Sequence, residues 1–450
     1  MAEEEMQEPG LSRPKKGLCL LLMFFALILL TSFAYFLLFP NSSDTNVTSC
    51  PAFFNIVPAI SGRAQRGVSV EQKNSSYIQL PRMSLNDRHK YLLKGQCDLF
   101  SGQWINDPSG PAYTNASCNF IQPPQNCMKN GRPDTNYLYW RWKPYDCELP
   151  PFDPFKFMDA MKDKSMAFIG DSIFRNQIQS LLCLLTKVEE PVEVYHDKFF
   201  RSRTWYFANY NFTVGVIWAP FLVKAELFED DEGKSKSDVE LHLDILEDKW
   251  TSQYNKYDYV IFSGGQWFLK SMIIWLNNTI VGCHNCKNNN LKELGIDCPY
   301  HKALQTVFEF MISSDHKPLI FFRTWTPDHF EYGEWFSGGV CNRTTPYSEG
   351  QYKGKPIDHV MRTIEIQEFE KAVSMASQTG ARLKLLDTFH LSVLRPDGHP
   401  GPYRTYHPFG KDKIAKVQND CLHWCLPGPI DTWNELIAKI LVDERDISSN

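Results

Sequence analysis

The chain has 450 residues, enough for one large domain or two moderate ones with additions at the termini. Apolar residues at 43% and charged residues at 22% are ordinary globular values and exclude large-scale disorder. A net charge of −5 argues against nucleic acid as the main partner, because phosphate binding demands a basic surplus.

Taken in order, residues 1–16 form a short tail ending in Arg13, Lys15 and Lys16. Residues 17–39 (GLCLLLMFFALILLTSFAYFLLF) are one apolar run, long enough to cross a bilayer with some tilt. No Lys or Arg follows until Arg63, so the positive-inside rule predicts a cytoplasmic tail, an uncleaved single-pass type II anchor and a lumenal remainder. A cleaved signal peptide would have a shorter run and a small-x-small site close behind it. N-x-S/T sequons at Asn41, Asn46, Asn74, Asn115, Asn211, Asn277 and Asn342 all lie beyond the span. Their one-sided placement agrees with a lumenal body open to N-glycosylation. Cys19 lies in the span and twelve cysteines lie beyond it, an even set that predicts disulfides in an oxidising lumen.

Residues 40–95 are polar and read as a stem. Residues 96–155 are dense in Cys, Trp, Tyr and Pro with little periodicity, and predict an irregular stapled segment rather than an independent fold. Residues 156–442 read as the catalytic body. Strands are expected at 165–169, 212–218, 257–262, 318–322 and 383–386, with helices at 173–185 and near 238–250, 302–313 and 357–378. Residues 228–237 (FEDDEGKSKS) read as a solvated loop. The alternation predicts an α/β fold with a central parallel sheet covered on both faces. Cys283 and Cys286 resemble half a zinc site, but with only Cys298 following, no metal is expected.

Gly170-Asp171-Ser172 falls where a strand ends and a helix begins. Such a turn exposes a serine hydroxyl at the sheet edge, beside N–H groups and a partial positive charge that stabilise an oxyanion. Asp and Ser are also favoured helix caps, so the tripeptide alone fits a cap as well as a nucleophile. Ser needs a base, and Asp420-Cys421-Leu422-His423 offers one. Three-residue spacing lets a carboxylate fix the histidine tautomer and stabilise the imidazolium. Cys421 and Cys425 flank that histidine and suit a rigid site.

The chain resembles the SGNH (GDSL-like) hydrolase superfamily, and more closely the plant trichome birefringence-like family of polysaccharide O-acetyltransferases. The likeness covers residues 95–442. It runs through Cys97-Asp98-Leu99-Phe100-Ser101-Gly102-Gln103-Trp104, Tyr139-Trp140-Arg141-Trp142-Lys143-Pro144 and the segment from Phe168 to Gln177. It continues through Trp218-Ala219-Pro220-Phe221-Leu222, Arg323-Thr324, His329-Phe330-Glu331 and the segment from Asp420 to Gly428. The resemblance implies an SGNH-like α/β/α sandwich with a smaller disulfide-stapled lobe, anchored in the Golgi membrane. It implies a Ser172–His423–Asp420 triad working by double displacement. No cofactor stays bound, but an acetyl donor is required, either acetyl-CoA or an intermediate acetyl carrier. The acceptor partner is a cell-wall polysaccharide, with xyloglucan side chains favoured and mannan, glucomannan or xylan as alternatives. An acetyl-esterase and a non-catalytic wall-polysaccharide-binding protein are the competing classes. The implied disulfides are Cys97–Cys147, Cys118–Cys183, Cys127–Cys425 and Cys341–Cys421. Cys50, Cys283, Cys286 and Cys298 fall outside the pattern.

One departure concerns the oxyanion hole. Where the family carries an Asn-Thr pair, this chain reads Ser263-Gly264-Gly265. Ser263 or the Gly264 N–H is the substitute donor. Gly170, Asp171, Arg175 and Asn176 are further oxyanion or substrate candidates.

Overall fold

The structure, a computed structural model, describes residues 97–226, 237–287 and 290–449. The expected tail, span and stem, with Asn41, Asn46, Asn74 and Cys50, lie outside the described residues, as does nearly all of the 228–237 loop. Among the described residues no helix is long and apolar enough to cross a membrane.

Two strands, β1 (Gly102–Asn106) and β2 (Trp140–Pro144), pair antiparallel in the N-terminal segment. After helix α1 (Pro154–Ala160), strand β3 (Ser165–Gly170) leads into helix α2 (Ser172–Leu185). Strands β4 (Val192–His196), β5 (Arg203–Phe207) and β6 (Phe212–Trp218) follow, then β7 (Val223–Glu226) and β8 (Val239–Leu246). Next come β9 (Tyr259–Phe262), β10 (Met272–Leu276), β11 (Thr279–His284) and helix α3 (Asp297–Ser313). The chain closes with β12 (Leu319–Arg323), helix α4 (Pro356–Thr379), β13 (Arg382–Leu386) and helix α5 (Asp431–Ser449).

The main sheet has the order β13-β12-β9-β3-β6-β5-β4. The run from β13 to β6 is parallel, and β3, β6, β9 and β12 within it are the mostly buried, apolar-rich strands that such pairing expects. The edge strands β5 and β4 are antiparallel, so the sheet is mixed rather than wholly parallel. Phe168 packs edge-on against Phe174 of α2. Phe262 and Phe322 pack against Phe308 of α3, and Phe322 stacks on Phe369 of α4. Phe262 is in register with Ile169, the neighbour of Phe168. Adjacent strand residues point to opposite faces, so α2 covers one face while α3 and α4 cover the other.

A second sheet, β11-β10-β8-β7, was not foreseen. Residues 238–250, expected to be helical, instead form β8 and one short helical turn at Asp248–Thr251. In β8, Val239, Leu241 and Leu243 are buried at period two. Val239, Leu243 and Leu246 also fit a helical period, and sheet pairing decided between them.

Four disulfides join Cys97–Cys147, Cys118–Cys183, Cys127–Cys425 and Cys341–Cys421, the pairs the resemblance implies. A fifth links Cys283 to Cys286, and Cys298 is disulfide-bonded as well. Of the described sequons, Asn211, Asn277 and Asn342 are exposed and Asn115 is half-buried.

The N-terminal segment is held on the body by buried polar contacts. Trp104 Nε1 donates to the Leu391 carbonyl at 2.8 Å. Arg395 forms a two-pronged pair with Asp397 at 2.8 and 2.9 Å, donates to the Tyr137 carbonyl and stacks on Trp104. Both side chains of that pair are almost wholly buried. Removing one partner strands a buried charge, which costs about 3–5 kcal/mol. Arg395→Met is therefore expected to destabilise by that amount in thermal unfolding. The double change Arg395→Met with Asp397→Leu should recover most of it. A single variant within about 1 kcal/mol of wild type would contradict the assignment.

Candidate active site

The strand order around β3 places the site. The chain steps from β3 to β6 on one side and then to β9 on the other, so the crevice opens at the carboxyl ends of β3 and β9. Ser172 starts α2 there, and Ser263-Gly264-Gly265 follows β9.

Asp171 is the helix cap, its Oδ1 accepting from the Ile173 N–H at 2.9 Å. It is buried, and burial raises its carboxyl, offset in part by Arg323. Gly170 permits a close approach. A Cβ there would sit 2.5 Å from the Ser263 carbonyl oxygen. Ser172 is half-buried and its hydroxyl makes no hydrogen bond among the described residues.

Asp420 and His423 meet as expected. His423 Nδ1 donates to Asp420 Oδ2 at 2.9 Å, which leaves the Nε2 lone pair as the base. Asp420 Oδ1 accepts from the backbone N–H of Leu422 and His423 at 3.2 and 3.0 Å. Burial pushes this carboxyl up, but the His423 charge and these hydrogen bonds win and hold it well below the usual range.

Ser172 is brought to this pair through its helix. Asn176, 1% exposed, accepts from the Trp424 N–H at 2.7 Å and donates to the Trp424 carbonyl at 3.2 Å, across 248 residues of sequence. Asn176 thereby ties the loop to the helix. His423 is close enough to Asp171 to lower its carboxyl. No direct Ser172–His423 hydrogen bond forms.

Of the substitute oxyanion donors, the Ser263 N–H is spent on the Ile169 carbonyl at 3.3 Å. The Gly264 N–H is claimed by no described acceptor. Gly265 has φ +133°, and a Cβ there would lie 2.6 Å from the Trp325 ring, so only glycine fits.

Sequence reasoning missed the groups beneath this loop. Tyr300 Oη lies 3.2 Å from the Gly264 carbonyl and 2.6 Å from Glu365 Oε1. Glu365 Oε2 accepts from the Trp325 N–H at 2.6 Å. Tyr300 has one proton, and it serves both contacts only if Glu365 donates to Tyr300 and Tyr300 donates to Gly264. Burial raises the Glu365 carboxyl to about 8, which supplies that neutral donor. Buried Arg323 lies between the Phe174 and Trp433 rings, its guanidinium lowered by burial to about 10. No spacing signal announces these contacts, because they join distant segments.

Cys283, Cys286 and Glu293 cluster as a metal site would, but the two sulfurs are bonded to each other.

Glu365 has a folded value above its unfolded value of about 4.3. Its contribution is full below that pH and is lost as pH rises towards about 8. Glu365→Gln keeps both hydrogen bonds and does not titrate. The difference between the wild-type and variant thermal midpoints is expected to shift in the variant's favour from about pH 5 to about pH 8. A difference flat in pH would show Glu365 already ionised.

The site can be set beside known proteins. Residues 149–440 match a family described as GDSL/SGNH-like acyl-esterase, found in Pmr5 and Cas1p, and residues 95–148 match the PMR5 N-terminal domain. Protein trichome birefringence-like 26 of Arabidopsis thaliana is 55% identical over 355 residues, 78% of this chain and 79% of its own. Protein trichome birefringence-like 25 of the same plant is 49% identical over 426 residues, 93% and 92% of the two chains. Xyloglucan O-acetyltransferase 1 of Arabidopsis thaliana is 42% identical over 346 residues, 77% and 80%. Identity of this depth, running through both the stapled N-terminal segment and the body that carries the site, places the chain in the trichome birefringence-like family of GDSL/SGNH-like acyl-esterases.

Proposed function

We propose that this protein is a Golgi-membrane O-acetyltransferase that acetylates a cell-wall polysaccharide through an acetyl-serine intermediate. The observation that carries the reading is the Asp420–His423 pair on a loop bonded, through Trp424 and Asn176, to the helix that Ser172 begins. Relatives named as xyloglucan O-acetyltransferases, at 42% and 41% identity, support acetyl transfer and favour xyloglucan as acceptor.

In the first half-reaction His423 Nε2 takes the Ser172 proton as Oγ attacks the donor's acetyl carbonyl carbon. The tetrahedral oxyanion is met by the Ser172 N–H at the start of α2 and by the Gly264 N–H. It collapses to acetyl-Ser172, and the leaving group departs with the proton from His423. In the second, His423 takes a sugar hydroxyl proton, the sugar oxygen attacks the acetyl carbon, and Ser172 leaves with that proton. Water in place of the sugar would give hydrolysis, so exclusion of water separates transferase from esterase.

Ser172→Ala is expected to abolish acetyl transfer to xyloglucan, mannan and xylan oligosaccharides while leaving the fold intact. The check is acetyl mass increments on the acceptors, with thermal unfolding as control. Transfer at the wild-type rate would refute the nucleophile. An increment on xyloglucan alone would select that acceptor, and release of free acetate alone would favour the esterase.

Asp420→Asn removes the charge and permits the wrong His423 tautomer. A fall in kcat/KM of about 10³–10⁴ is expected from steady-state rates with an aryl acetate. A loss under about tenfold would deny Asp420 its role.

A further inference from the structure

Arg175 stands one helical turn beyond Ser172, yet its side chain makes no hydrogen bond or ion pair with any described residue, and its Nε is buried. The guanidinium lies over the Trp218 ring, 5.0 Å from its centroid. Trp218 is 5% exposed, and its indole Nε1 is also buried without an acceptor. Stacking satisfies the face of a guanidinium, not the edge that carries its donors. Arg201 reaches the same ring at 5.4 Å and adds a second positive charge. Burial, and then the charge of Arg201, lower the Arg175 guanidinium from its ordinary value.

Among the described residues, the carboxylates that act on the Arg175 charge are Asp171 and Asp197, and neither bonds to its guanidinium. Asp171 spends Oδ1 on its helix cap. Asp197 takes the backbone N–H groups of Phe199, Arg201 and Ser202. Buried donors without an acceptor among the described residues, one of them on a guanidinium, are what an anion would satisfy. The location is also suggestive. Trp218 ends β6 in register with Gly170, so its ring stands at the crevice edge beside Ser172. Helical side chains lean towards the N-terminus, which turns Arg175 to the Ser172 end of α2.

We infer that Arg175, backed by Trp218, binds the phosphate-bearing part of an anionic acetyl donor while the acetyl group lies at Ser172. The inference rests on the acetyl-serine reading above. Its shared chemistry is an oxyanion, and an acidic sugar on the acceptor is the other source. The neutral sugars of xyloglucan favour the donor.

The test uses the full-length chain in detergent as wild type, Arg175→Gln, Arg175→Lys and Ser172→Ala. Acylation by acetyl-CoA and by acetyl phosphate is compared with acylation by neutral 4-nitrophenyl acetate. Arg175→Gln is expected to lower the ratio of kcat/KM, anionic over neutral, by about tenfold or more, with partial rescue in Arg175→Lys. Inorganic phosphate is expected to raise the wild-type thermal midpoint, not that of Arg175→Gln, and to compete with the donor. An equal loss with both donor classes would mean that Arg175 serves the reacting carbonyl or the fold, and would overturn the proposal. Competition with the acceptor oligosaccharide would overturn the donor assignment. If Ser172→Ala stayed active, the acetyl-serine reading would fail, yet the phosphate shift would still decide whether Arg175 holds an anion.

Discussion

The proposed chemistry depends on holding a segment with no helix or strand of its own. Residues 420–426 carry the Asp–His pair, and their backbone groups are satisfied by other parts of the chain. Asp420 exchanges both backbone hydrogen bonds with Gly401 at 2.9 and 3.0 Å. The Cys421 carbonyl accepts from the His329 N–H, and the Cys425 N–H donates to Gly398. Leu426 N–H reaches Gln125, and Trp424 is claimed twice by Asn176. The ring of His399 donates to the His423 carbonyl at 2.7 Å. Disulfides fix both ends of the segment, at Cys421 and Cys425. A buried loop is tolerable only when its polar groups are paired in this way.

The N-terminal segment therefore belongs to the active site in a physical sense. Its Cys127 holds Cys425, its Gln125 holds Leu426, and its Arg132 donates to the carbonyls of His399 and Asp397 at 2.8 and 2.7 Å. Arg395 and Asp397 return the contact by fixing Tyr137 and Trp104. Each side supplies the groups that the other would otherwise bury unpaired.

Much of this was legible in the sequence where one local signal dominated. The all-apolar β3 followed by an amphipathic helix marked the turn at Ser172, and the three-residue step from Asp420 to His423 needed only a tight loop. Legibility failed where two periods competed, as in β8, and where edge strands such as Val192–His196 expose most of their side chains. It failed again beneath the Gly264 loop. Tyr300, Trp325 and Glu365 meet across separations of 65 and 40 residues, and only the fold makes them neighbours. The bonding of the Asn176 amide to Trp424, 248 residues away, was hidden for the same reason.

Three buried carboxyls around the site show how hydrogen bonds decide protonation at similar burial. Asp420 faces the His423 charge and accepts the ring N–H and two backbone N–H groups, and together these outweigh burial and keep it ionised. Asp171 accepts one backbone N–H, and burial raises it despite Arg323. Glu365 accepts the Trp325 N–H, but its other oxygen faces a tyrosine whose single proton is needed at Gly264, and it rises to about 8. Burial raises all three, so the difference lies in the His423 charge beside Asp420 and in how many donors each carboxyl is offered. The fold thereby keeps a negative charge beside the His423 ring, and a neutral acid beneath the Gly264 loop.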